Sequence, residues 1–159
     1  VEVGPFATFY FENYATMWLQ VQEMLRIEKG GADQIPGELD AYNPLIPQGD
    51  ELIATLMIEI EDGNRRNAVL LTLGGIEEKV FLEIGGDTIP ATPTEYDDRT
   101  TADGKTSSVH WLRFKLTGEQ IARFRDADTR VVLGVSHPNY GHMAVIGAQS
   151  RAALAKDFT

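Results

Sequence analysis

The chain is expected to adopt an α+β fold, with a largely antiparallel sheet covered by helices. Two observations predict this. Stretches of period-two alternation are intermixed with stretches of helical periodicity, and no sustained one-to-one β–α succession or internal repeat runs through the 159 residues. That length suits one α+β domain over residues 1–159, long enough to bury a sizeable core.

Each element has its own signal. Gly4-Pro5 punctuates the start, and residues 6–12 alternate, with Ala7, Phe9 and Phe11 on one side and Thr8, Tyr10 and Glu12 on the other. Asn13 is placed to cap a helix over 14–29 whose main stripe is Tyr14, Met17, Trp18, Val21, Met24 and Leu25. Gly30-Gly31 is the expected stop. The acidic 32–50 region carries three prolines, with a short helix expected over 34–42 and an ordered loop over 43–47.

A strong strand follows over 52–60, with Leu52, Ala54, Leu56, Ile58 and Ile60 on one face. Asp62-Gly63-Asn64 turns into a helix over 65–73, ended by Gly74-Gly75, and 79–84 alternates again. Residues 85–106, rich in Gly, Pro, Thr and Asp, are expected to form a long loop. Beyond it come a strand over 109–116, a Thr117-capped helix over 118–127 and a strand over 130–137. A turn through 137–142, a partner strand over 143–147 and a terminal helix over 149–156 complete the reading.

Composition narrows the function classes. Hydrophobic residues at 43% and charged residues at 24% are ordinary for a soluble globular protein. A formal net charge of −10, with Arg65-Arg66 the longest basic run, argues against nucleic acid as a partner. It also argues against anionic membranes, and no apolar stretch approaches the ~20 residues that span a bilayer. The expected location is the cytoplasm, since no signal-peptide pattern opens the chain. Without cysteine the chain holds no disulfide, thiolate metal site, iron–sulfur cluster or cysteine nucleophile.

Candidate site residues fall into two groups. Alternation puts His110 on the face of Leu112, Phe114 and Leu116, and His137 on that of Val131, Leu133 and Val135. The two imidazoles can therefore line one pocket and, with a carboxylate such as Glu12 or Glu23, hold a divalent metal. The alternative is a pair of buried histidines bonded to backbone or tyrosine. HExxH and other compact metal motifs are absent. His137 and His142 flank a turn and can sit opposite one another across a hairpin, although Pro-Asn-Tyr-Gly accounts for a tight turn without any ligand.

The second group is Glu12, Gln20, Glu23 and Arg26, polar residues on elements that are otherwise apolar. They form either a small polar-ligand site or an internal network, with Glu23 and Arg26 one turn apart. Arg113, on the face opposite His110, either anchors an anion or is solvated. The acidic pair Asp97-Asp98 is expected to be solvated. No GxSxG elbow, Walker loop or strand-borne GxGxxG is present.

The phrases FENYATMWLQVQEMLRIEK, ELDAYNPLIPQGDELIATLMIEI, KTSSVHWLRFKLT and LGVSHPNYGHM, in that order, resemble the bacterial family named domain of unknown function thirty-five-oh-one. The resemblance implies a further N-terminal segment with basic character. It also implies a redox or oxidative-stress setting, because genes of the family neighbour those for rubrerythrin and iron–sulfur proteins. It carries over no functional residue. Three functions stay open: an accessory protein that binds a small ligand or metal beside a redox partner, a metal-dependent enzyme with His and carboxylate ligands, and a homodimeric scaffold. For the scaffold, Trp18, Trp111 and the 43–47 loop are the interface candidates.

Overall fold

The computed structural model describes residues 1–94 and 99–159, so the Asp97-Asp98 pair lies outside the described residues. Two antiparallel sheets organise the chain. Strands β1 (Glu2–Val3), β2 (Ala7–Glu12), β3 (Glu51–Ile58), β6 (Thr92–Pro93) and β7 (Val109–Lys115) form the first, in the order β1-β2-β3-β7-β6. Strands β4 (Val80–Ile84), β5 (Asp87–Pro90), β8 (Val131–His137) and β9 (Tyr140–Val145) form the second, in the order β5-β4-β8-β9. The α+β class and the antiparallel pairing agree with the sequence reading.

Register decides which side chains meet. Phe9 pairs with Leu56 and Leu56 with His110, while Tyr10 pairs with Thr55 and Thr55 with Trp111. Paired residues share a face, so Phe9, Leu56 and His110 point one way and Tyr10, Thr55 and Trp111 the other. Phe9 and Leu56 of the first set join Leu82, Leu133 and Val135 of the second sheet in one apolar cluster, and His110 is buried on the same face. The core is thus closed by a second sheet, where the sequence reading expected helices to cover a single one.

Helix α1 (Tyr14–Glu28) starts on a reciprocal cap: Asn13 accepts from Thr16 N at 3.0 Å, and Thr16 Oγ1 accepts from Asn13 N at 2.9 Å. It ends on Lys29 in the left-handed region at φ 56°, one residue before the expected glycines. Helix α2 (Ile35–Tyr42) packs beside it. The pair covers only part of the outward face of the first sheet, where Met17, Leu45 and Ile53 bury a small second cluster with Tyr42 and Trp111. Helices α3 (Gly63–Leu70), α4 (Gly118–Arg125) and α5 (Ala148–Leu154) follow the sequence expectations with shifted ends.

Two expectations change. The region 85–106 is not all loop: Gly85 and Gly86, at φ 55° and 94°, make a two-residue turn that pairs β4 with β5, and β6 then joins the first sheet. The last strand begins at Tyr140, earlier than the expected 143, because Pro138-Asn139 alone forms the turn. His137 consequently pairs with Tyr140, and His142 with Val135, so the two imidazoles do not face each other. The Tyr140 hydroxyl donates to Val3 O at 2.6 Å and accepts from Ala7 N at 3.0 Å, tying the second sheet to the first.

Candidate functional site

β1 pairs with β2 at Ala7 and Thr8 and Val1 exchanges backbone bonds with Phe9, so beyond Phe9 the β2 edge has no neighbouring strand among the described residues. Helix α1 leaves β2 at Asn13 and folds back over the outward face of the sheet. Between them lies a groove of about 810 Å³, which passes around the β2 edge toward α5. Its walls are mostly apolar, with Phe11, Met17, Met57, Val109, Trp111 and Leu154 contributing. Volume and lining match the usual small-ligand pocket of ~300–1,000 Å³, apolar with a few placed polar groups.

Glu12 is the best-placed of those groups. Its Oε1 accepts from Thr55 Oγ1 and its Oε2 from Thr16 Oγ1, both at 2.6 Å. Thr55 is the one hydroxyl on the outward face of β3, and Thr16 is the N3 residue of the capping box that starts α1. One carboxylate is thereby fixed by a strand and a helix at once. Gln20 and Glu23 also line the groove, and Gln20 Nε2 donates to the Tyr42 hydroxyl at 3.4 Å. Of the second group of candidates, the fold therefore brings Glu12, Gln20 and Glu23 together.

The remaining candidates lie elsewhere. Arg26 is not a lining residue of the groove; it donates to Glu23 Oε2 at 2.6 Å, and this contact raises its pKa. Arg113, on the outward face, donates to both oxygens of the fully buried Glu51, at 3.1 and 2.8 Å, and to Pro44 O at 2.9 Å. It is the anchor of a structural ion pair and does not line the groove. Trp111 carries the Arg99 guanidinium over its ring at 4.6 Å, a cation–π contact.

The two histidines do not join Glu12 or Glu23. His110 points into the core from the opposite face of the same sheet, so the pleat alone separates it from both. Its Nε2 donates to Ser107 O at 2.9 Å and lies 3.2 Å from Thr106 Oγ1. That leaves Nδ1 without a hydrogen bond among the described residues, 3.7 Å from Glu77 Oε2. Burial pushes the His110 pKa down, the Glu77 charge and the Ser107 carbonyl oppose that, and Arg99 adds to it.

His137, on the other sheet, bonds Gly74 O through Nε2 at 3.1 Å and accepts from Asn139 N on Nδ1 at 3.1 Å. Both rings are held by backbone groups, the alternative that the alternation pattern left open. Among the described residues, no group of three His, Cys, Asp or Glu side chains is placed to hold a metal ion.

Sequence reasoning missed Thr16, Thr55 and Glu77. A signal existed for the first two, an N3 threonine after an Asn cap and a lone hydroxyl in an apolar strand. For Glu77 there was none, since it sits in a 3₁₀ turn at Ile76–Lys79 that no periodicity marks.

No curated protein matches the chain. A crystal structure of a novel protein of unknown function from Burkholderia pseudomallei K96243 is 38% identical, with a TM-score of 0.88 over 100% of this chain and 83% of that one. Among the described residues, no helix is long and apolar enough to cross a membrane. Residues 1–158 match the family described as "Protein of unknown function (DUF3501)", so the resemblance carried by the four phrases holds and the chain belongs to that family.

Proposed function

We propose that this protein binds a small, mainly apolar ligand in the groove between α1 and the outward face of the first sheet. It then acts as an accessory protein, not as a catalyst in its own right. The observation that carries this reading is the Glu12 carboxylate, fixed by Thr16 and Thr55 at 2.6 Å each, on the wall of an apolar groove of about 810 Å³. Apolar walls supply affinity by removing ligand surface from water, and one oriented polar group supplies orientation. With no cysteine in the chain, thiol-based electron chemistry in a redox setting would fall to a partner protein.

Tryptophan fluorescence tests the reading. In a Trp18→Phe variant, Trp111 on the groove wall becomes the sole tryptophan. Titration with decan-1-ol is expected to give a saturable change in its emission, and Met57→Arg is expected to abolish it. A linear, unsaturable response in both proteins would contradict groove binding.

A second reading, self-association, is favoured by the exposure of Tyr14 and Trp18, one turn apart on α1, at 69% and 56%. Light scattering on the wild type and Trp18→Glu tests it. A dimer lost in the variant is expected, and a monomeric wild type at high concentration would contradict it.

A further inference from the structure

We propose that the groove selects a cationic amphiphile, with an ammonium head against Glu12 and an apolar tail along Met17, Met57, Val109 and Trp111. This rests on the groove-binding reading and adds the chemical class of the ligand. Among the described residues, the carboxylates on the groove walls are Glu12 and Glu23, and no Lys, Arg or His side chain lines it. Arg26 answers Glu23 at 2.6 Å. Glu12 forms no ion pair among the described residues, and its two donors are neutral hydroxyls.

Each Glu12 oxygen therefore keeps acceptor capacity toward the groove. An ammonium group supplies both the missing donors and the opposite charge, and such charge-assisted bonds are about twice as strong as neutral ones. A carboxylate head would meet like charge. Val1 also lines the groove, and its backbone nitrogen donates to Phe9 O at 2.8 Å. Phe9 is three residues along β2 from Glu12, a separation of about 10 Å. The Arg99 cation on the Trp111 ring is not a wall residue. A net charge of −10 adds attraction for cations at longer range.

The test is calorimetric titration at pH 7.5 with decylammonium, decan-1-ol and decanoate, all below their micelle concentrations. Decylammonium is expected to bind about tenfold more tightly than the alcohol, with decanoate the weakest. In Glu12→Gln that tenfold advantage should vanish while decan-1-ol binding persists. Equal binding of ammonium and alcohol to the wild type would overturn the proposal and leave groove binding standing. An ammonium advantage that survives Glu12→Gln would overturn it too, because attraction to the acidic surface would then explain it. Failure of all three probes would overturn both readings. If Glu12→Gln does not fold, the wild-type comparison is repeated in about 0.5 M salt, which screens long-range surface attraction: an ammonium advantage that persists is expected, and one that disappears overturns the proposal.

Discussion

His110 Nδ1 faces Glu77 Oε2 across 3.7 Å, and neither atom has a hydrogen bond among the described residues. His110 is almost fully buried, and its Nε2–H is committed to the Ser107 carbonyl, which fixes the tautomer and leaves Nδ1 as a bare acceptor. Two acceptors therefore look at each other between the two sheets, at a distance too long for a hydrogen bond.

That arrangement gives a pH dependence with a definite sign. Burial, the largest effect, lowers the His110 pKa against the opposing Glu77 charge, and Arg99 adds to the lowering. The unfolded chain takes up a proton near its ordinary value of about 6.5, while the folded chain resists it to lower pH. The unfolded state thus binds more protons in that window, and stability falls as pH drops below about 6.5. Urea midpoints measured from pH 7.5 to 5.5 should decline in the wild type. The decline should be shallower in His110→Gln, and identical slopes would contradict the assignment.

Replacing the carboxylate by an amide should relieve the facing acceptors. In Glu77→Gln the side-chain N–H can donate to Nδ1, and satisfying a buried acceptor contributes about 1 kcal/mol. The variant is expected to unfold at higher denaturant than the wild type at pH 7.5. A loss of stability would mean that the Glu77 charge itself is required.

Arg113 and Glu51 form the opposite case, a buried carboxylate that is fully answered. Arg113→Met leaves Glu51 at 0% exposure with Lys115 Nζ, at 3.9 Å, as its one remaining cation among the described residues. Removing one partner of such a pair costs about 3 kcal/mol. Adding Glu51→Leu to Arg113→Met should recover most of that loss. Denaturant unfolding of the two variants checks both steps.

Thr55→Val tests the anchoring of Glu12 from the strand side. The change keeps shape and deletes one donor to a carboxylate, so about 1.5 kcal/mol of stability should be lost. Affinity for decylammonium should weaken as Glu12 is freed to rotate. A variant with unchanged stability and affinity would remove the hydroxyl from the account.

How much of this was legible depends on the range of the interaction. Alternation in FATFYFE and SVHWLRFKL gave the faces of β2 and β7 correctly, because side-chain parity is a property of the single strand. The Asn13 and Thr117 caps were equally local. The pairing of sheets was not, since nothing in one strand says what lies 10 Å above it. Hence His110 and His137 were rightly placed inward, yet their sheets hold them against Ser107 and Gly74 and not around one ion. Glu12 was found as a polar residue at a strand end. Its partner Thr55 lies 43 positions away and required the register of β2 on β3.

The most direct test of the central claim is a crystal soaked in 10-bromodecan-1-ol with data collected at the bromine edge. Groove binding predicts a bromine anomalous peak between α1 and the outward face of the first sheet, beside Met57 and Val109 or along the β2 edge near Leu154. An anomalous map with no peak in the groove of a soaked, accessible crystal would contradict it.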